Sequence, residues 1–98
     1  MTAHVVTHDP VAGRFEVVVA GATAELDHRR SGDRMIITHT GVPQQISRQG
    51  VASDLVAAAV AFAQDEHLVV DPRCWYAARW LERRPDVAAT VAGVDRPA

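Results

Sequence analysis

The spacing of apolar residues changes once along this 98-residue chain, and that change limits the folds open to it. From residue 14 to about residue 42, apolar side chains recur at every second position, which predicts half-buried antiparallel strands. Between residues 51 and 65 they recur at helical spacing, at Val51, Leu55, Ala58 and Phe62, and six alanines favour a helix there. The pattern therefore predicts a mixed α/β chain with strands first and helices later.

Local turn and cap signals divide this pattern into elements. Glycines and prolines separate four predicted strands, at residues 4–7, 14–20, 22–28 and 35–42. A short apolar run at residues 68–70 predicts a buried strand after the first helix. Asp71 and Pro72 then read as the N-cap and first residue of a second helix, which continues over residues 75–84 with Trp75 and Trp80 packed on the sheet. Residues 86–92 are predicted to add one or two helical turns.

The order of these elements predicts a topology. Four antiparallel strands form a meander, and a β-α-β crossover then makes the strand at 68–70 parallel to the strand at 35–42. A sheet of this kind can part where the crossover begins, and ligands favour the carboxyl ends of the strands at such a point. The functional site is therefore expected in the loop between the fourth strand and the first helix.

Length, charge and cysteine content exclude several classes of protein. Ninety-eight residues permit one domain, taken here as residues 1–98 with a core at about 14–92. A net charge of -2 argues against a nucleic-acid binder. No leader sequence or membrane-length apolar run is evident, so we expect a cytoplasmic protein. A single cysteine excludes an internal disulfide, and the histidines lack metal-ligand spacing with one another or with Cys74, so no metal site is expected.

An anion site is one interpretation of the loop at residues 43–50. The first backbone N–H groups of a helix have no internal partners and lie at a positive dipole end. Gly50 would let a phosphate approach them, and Arg48 would add a charged contact. The alternative is an ordinary turn with a solvated arginine. Arg83 and Arg84 also have two interpretations, as a solvated face or as partners of an anionic group.

Two separated segments carry a family resemblance. The string HTGVPQQISRQGVASDLV (residues 39–56) and the later segment DPRCWY (residues 71–76), followed by Arg84-Pro85, resemble the small single-domain GCN5-related N-acetyltransferases. The resemblance implies that family's α/β fold, acetyl-CoA as the acetyl donor and an unidentified amine as the acceptor. It also implies a pantetheine arm lying where the fourth strand parts from the strand at 68–70. The expected cofactor-binding residues are Val42, Arg48, Gln49, Gly50, Val51, Ala52 and Ser53.

Two residues are candidates for the chemistry of acetyl transfer. His39 is the candidate base, because the ordinary pKa of an imidazole lies near neutrality. Cys74, at the predicted start of a helix, is a candidate acid or nucleophile. The structural alternatives are a hydrogen-bonded histidine at a strand end and a small buried hydrophobe. The family's Glu after His-Thr is Gly41 here, which removes one possible base and favours a CoA-binding or protein-interaction module without turnover as the alternative function. A structural α/β domain without a ligand is a third possibility.

Overall fold

Six strands lie side by side in chain order in one sheet. Of the three helices, one connects the fourth strand to the fifth, and the other two lie between the fifth strand and the sixth. The computed structural model describes residues 4–95. The strands are β1 (Thr7–Asp9), β2 (Arg14–Val19), β3 (Ala22–Ser31), β4 (Arg34–Gly41), β5 (Val69–Pro72) and β6 (Gly93–Val94). The helices are α1 (Val51–Asp65), α2 (Trp75–Glu82) and α3 (Pro85–Ala88), and a 3-10 turn covers Gln44–Ile46.

The topology confirms the predicted meander and crossover. Strands β1 to β4 pair antiparallel with their chain neighbours. Strand β5 then pairs parallel with β4, and α1 forms the connection between them. Helix α1 has the predicted bounds because its apolar spacing is local and strong.

The second helix starts later than the sequence predicts. Asp71 and Pro72 end β5 and do not cap α2, so the prediction for these two residues is wrong. The backbone amides of Arg73 and Cys74 both donate to the carbonyl oxygen of Ile37, at 2.9 and 3.1 Å, which keeps this segment on the sheet. The Asp71 carboxylate is buried and accepts a hydrogen bond from Arg73 Nε at 2.9 Å. Cys74 is the N-cap of α2.

The ends of the chain also differ from the prediction. The first strand is Thr7–Asp9, because these residues have a partner in β2, whereas residues 4–6 are not in a strand. The helix predicted at 86–92 is the single turn Pro85–Ala88, and the chain then returns to the sheet as β6, which the sequence analysis missed. Trp80 is buried as predicted, but Trp75 is 75% exposed and does not pack on the sheet.

The core lies against one face of the sheet. Ala24, Leu26, Met35 and Ile37 are buried on that face, and α1 covers it with a buried stripe made of Val51, Leu55, Val56, Ala59, Val60 and Ala63. The stripe is rotated from the predicted one, since Ala58 and Phe62 are only partly buried. The other face of β2 and β3 carries more exposed, mostly polar side chains, among them Glu16, Glu25 and Asp27.

The sheet parts at the end of β4, as the topology predicts. Strand β5 pairs with β4 only over residues 34–37, and the chain then turns into α2. Residues 39–41 of β4 are paired to β3. A β-bulge precedes them, because Asp27 lies opposite His39 while the next residue, His28, lies opposite Ile37. Thr38 is therefore the extra residue on β4.

Candidate functional site

The loop after β4 delivers an uncapped helix end to the gap in the sheet. Ile46 is buried and anchors the 3-10 turn. Arg48 and Gly50 both adopt left-handed backbone conformations, with φ of 66° and 78°, and the chain then enters α1. Gly50 is the N-cap and offers no side chain to the first helical amides. The N–H groups of Val51, Ala52 and Ser53 therefore remain available at the positive end of the helix dipole.

A pocket of about 260 Å³ opens beside this helix end. It is lined by Val42, Ile46, Ser47, Arg48, Gly50, Val51, Ala52, Ser53 and Tyr76. Six of the seven residues predicted to bind the cofactor are in this lining, and the remaining one, Gln49, is not. The structure thus brings these six residues together around a single concave surface.

A second pocket, of about 310 Å³, shares Ser53 and Tyr76 with the first. The rest of its lining comes from α2 and the residues after it: Trp75, Arg79, Trp80, Arg83 and Arg84. Three arginines therefore face a space that continues from the helix end. The sequence analysis singled out Arg83 and Arg84 but not Arg79, although its position four residues before Arg83 is a signal that could have grouped them.

Trp80 connects α2 to the first turn of α1. Its indole Nε1 donates a hydrogen bond to Ser53 Oγ at 2.8 Å. The guanidinium carbon of Arg84 lies 4.2 Å from the centroid of the Trp80 ring, which is close enough for a cation–π contact. Trp80 therefore ties α2 to the helix end and holds Arg84 at the lining of the second pocket.

An acidic residue and an N-terminal histidine flank the same helix end. The Asp54 carboxylate accepts hydrogen bonds from the backbone N–H of His4 at 2.9 Å and pairs with the His4 ring Nδ1 at 2.7 Å. The backbone hydrogen bond is the main reason that the pKa of Asp54 lies below its ordinary value. These contacts attach His4 to the first turn of α1. They also give the Asp54 carboxylate, which lies close to the helix end, a partner in His4.

The two candidate catalytic residues lie on opposite faces of the sheet at the same end of β4. His39 is half exposed, and its Nε2 lies 3.1 Å from Glu25 Oε2 on the open face. Thr40 lies opposite Leu26, which faces the core. The Cys74 thiol is partly buried on that side and donates to Thr40 Oγ1 at 3.6 Å. The gap in the sheet thus has an imidazole on one side and a thiol on the other.

Comparison with known proteins identifies the family. The model of the GCN5-related N-acetyl-transferase family matches residues 14–91 of the chain. The chain belongs to this family. Protein NATD1 of Mus musculus is 31% identical to it over an 83-residue alignment that covers 82% of this chain and 76% of the mouse protein, and Protein NATD1 of Gallus gallus gives the same figures.

A solved structure supports the fold of this N-acetyltransferase family. The NMR solution structure of a GCN5-like protein from Staphylococcus aureus superimposes with a TM-score of 0.72 and covers 98% of this chain and 95% of its own. At 24% identity it bears on the fold alone. The resemblance drawn from residues 39–56 and 71–76 is confirmed, and the chain is an acyltransferase of the GCN5-related family.

Other kinds of site find little support in the part of the chain that the structure describes. Within residues 4–95, no three His, Cys, Asp or Glu side chains converge where they could hold a metal ion. No helix in this range is both long and apolar enough to cross a membrane. The sequence analysis also did not single out Glu25, whose contact with the candidate base His39 depends on the pairing of β3 with β4.

Proposed function

We propose that this N-acetyltransferase transfers the acetyl group of acetyl-CoA to an amine. The observation that carries the proposal is the uncapped end of α1 beside the gap in the sheet. A pyrophosphate needs backbone N–H donors and a positive dipole end, and the residues from Gly50 to Ser53 supply both. Arg48 lines the same pocket and adds a cation, so the residues present fit the group.

The second pocket fits the other phosphate of the cofactor. Coenzyme A carries a 3′-phosphate on its nucleotide end, and the guanidinium groups of Arg79, Arg83 and Arg84 line the space next to the helix end. Arginine is suited to phosphate because its planar N–H donors bind two oxygens at once. The neighbouring Trp75 side chain, which is mostly exposed, offers a flat surface for a purine ring.

The gap between β4 and β5 fits the extended arm of the cofactor. Residues 39–41 are paired to β3 on one side, and β5 has turned away on the other. An arm with amide groups can take the place of a neighbouring strand by hydrogen bonding to a free strand edge. This placement brings the thioester end to the level of His39 and Cys74.

His39 and Cys74 divide the proton transfers between them in the proposed reaction. The thioester supplies the acetyl group. As the amine nitrogen bonds to the carbonyl carbon, His39 accepts a proton from it on the open face of the sheet. As the carbon–sulfur bond breaks, the Cys74 thiol donates a proton to the departing thiolate, and solvent restores the thiol. The opposite placement of the two side chains suits these two tasks.

Two measurements test the function and its alternative. Calorimetry should detect CoA binding by the natural chain, weakened in Arg79→Ala and unchanged in the control Arg29→Ala, an exposed arginine of β3. Release of free thiol from acetyl-CoA with a panel of amines should then detect turnover. No binding at millimolar CoA would refute the proposal, whereas binding without thiol release for any amine would indicate a CoA-binding module.

Variants of the two candidate residues test the assignments. His39→Ala and Cys74→Ala should each lower the rate of thiol release, by about a hundredfold for the base. The control is His67→Ala, an exposed histidine just after α1. If the two rates are unchanged while the chain remains active, the assigned roles are wrong even though the function is right. The chain contains no lysine, so no side-chain amine of its own adds background to the assay.

A further inference from the structure

Glu25, Gly41 and His39 form one unit on the open face of the sheet. Glu25 and Gly41 lie directly opposite each other on β3 and β4. The Glu25 side chain is 25% exposed, and its Oε2 lies 3.1 Å from His39 Nε2. An ionised carboxylate can only accept hydrogen bonds, so the neutral His39 ring carries its proton on Nε2 and donates it to Glu25. Its Nδ1 is then left with the lone pair.

Gly41 leaves the space that this pair occupies. A Cβ atom at position 41 would lie 2.5 Å from Glu25 Oε2 and 2.8 Å from His39 Nε2. A side chain at this position would therefore displace the carboxylate, the imidazole or both. Gly41 is not in a left-handed conformation, so a special backbone angle does not explain the glycine. The space above its Cα atom is what the pair requires.

The other carboxylates on this face have different partners. Asp27, opposite His39, receives hydrogen bonds from Arg14 Nε at 2.7 Å and Nη2 at 3.2 Å. Glu16 lies across from Glu25 and is 3.8 Å from the same arginine. Glu25 is therefore the carboxylate of this face that is directed at the imidazole.

We propose that Glu25 is the positioning residue of His39: it fixes the ring and its tautomer so that Nδ1 takes the proton of the acceptor amine. The inference rests on the proposed function for the role of His39 as base. Glu25 does not touch the reacting atoms, and it acts by holding the ring in one orientation and by keeping the proton on the nitrogen that faces away from the amine.

The first test needs no ligand. Long-range proton–nitrogen correlations in NMR measure which ring nitrogen of His39 carries the proton, at about pH 8.5, where an ordinary imidazole is neutral. We expect Nε2–H alone in the natural chain and in the control Glu16→Ala, and a mixture of the two tautomers in Glu25→Ala. An unchanged ring in Glu25→Ala would overturn the proposal. Glu25→Thr, which suits a strand but is too short to reach the ring, replaces the alanine variant if that variant does not fold.

The second test fills the space above Gly41. Gly41→Ala adds a Cβ atom that would lie 2.5 Å from Glu25 Oε2 and 2.8 Å from His39 Nε2. We expect Glu25→Ala to lower kcat about tenfold, less than loss of the base itself, with KM for acetyl-CoA unchanged. Gly41→Ala should also lower kcat and give a mixture of the two tautomers, because it displaces the pair. A folded Gly41→Ala chain with the natural kcat and the single tautomer would contradict the proposal.

The two tests separate this proposal from the proposed function. If the natural chain acetylates no amine, the function fails, yet the NMR measurement still decides whether Glu25 fixes the His39 ring. If the chain is active and Glu25→Ala has the natural kcat and tautomer, the function stands and the role of Glu25 is refuted.

Discussion

A pair of histidines beneath the first strand should make the stability of this protein depend on pH. His8 of β1 stacks on Phe15, with ring centroids 3.8 Å apart and planes 3° from parallel. Its Nε2 lies 3.0 Å from Nε2 of His28, whose ring is 6% exposed. A hydrogen bond between two imidazoles needs one N–H and one lone pair, so at least one of the two rings must be neutral. Protonation of one ring places a charge in this largely buried site, and protonation of both places two N–H groups against each other.

The sign of the effect follows from the pKa of each ring. Burial is the main cause that lowers the pKa of both His28 and His8 below the ordinary value of 6.5. The charge of a protonated His8 lowers the pKa of His28 further, whereas Asp27 raises it. Asp9 raises the pKa of His8 in the same way, by less than burial lowers it. The unfolded chain therefore binds more protons than the folded one as the pH falls below that value. This stabilisation is complete above about pH 6.5 and is lost as the pH falls through the lowered pKa values.

The size of the effect can be set from the contacts that are lost. Charging a buried imidazole costs free energy, and the hydrogen bond between the rings, worth about 0.5–1.5 kcal/mol, is lost when both rings are charged. We therefore expect the free energy of unfolding to fall by about 1–2 kcal/mol between about pH 8 and pH 5.5. For a domain of this length, each kcal/mol corresponds to a change in Tm of about 4–8 °C.

Urea unfolding at constant ionic strength across that pH range measures the effect. The control is the double variant His8→Phe, His28→Leu, which keeps an aromatic ring on Phe15 and an apolar side chain under the strand. Its free energy of unfolding should vary less over the same range. A natural chain with equal stability at both ends of the range, or a double variant with the same slope, would refute the reasoning.

Two further predictions concern turns and the link between helices. Gly13→Ala should destabilise the fold by about 3 kcal/mol in the same urea assay, because φ at Gly13 is 74° and the new Cβ atom would lie 2.3 Å from the carbonyl oxygen of His28. Gly21 has a similar φ of 80°, but the space around it is open. Gly21→Ala should therefore cost only the backbone strain, about 1–2 kcal/mol. Trp80→Phe removes the hydrogen bond to Ser53 and should cost about 1 kcal/mol and weaken CoA binding in calorimetry; equal affinity would contradict a role in shaping the two pockets.

The parts of the fold that the sequence predicts well are those determined by local periodicity. Strands β2 to β4 and helix α1 each have an apolar pattern long enough to identify the element. The pattern also identifies the buried face of β2 and β3, whereas the buried stripe of α1 is rotated from the predicted one. Asp71-Pro72 shows the limit of local signals. The pair is typical of a helix start, yet hydrogen bonds from the next two amides to Ile37 keep it in the sheet. Strand β6, of two residues, exists only because β5 lies beside it.

The same distinction applies to the site. The residues around the end of α1 are consecutive in the chain, so a glycine before a helix indicates this region, and the family resemblance supplies the set of residues, most of which line the pocket. Glu25 is fourteen positions from His39, and nothing local to either residue indicates their contact. Along the chain, the absence of a carboxylate at Gly41 predicts the loss of one possible base. In the folded sheet, the absence of a side chain at Gly41 leaves the space in which Glu25 contacts the His39 ring.

The bulge at Thr38 determines which face of the sheet receives His39. Ile37 lies opposite His28 and faces the core, so in a regular strand residue 39 would face the core as well. The extra residue reverses the alternation. His39 then lies opposite Asp27 on the open face, within reach of Glu25, while Thr40 turns towards the Cys74 thiol. One inserted residue thus places the imidazole on the open face of the sheet and a contact with the thiol on the opposite face, and it does so in the stretch of β4 that β5 has already left.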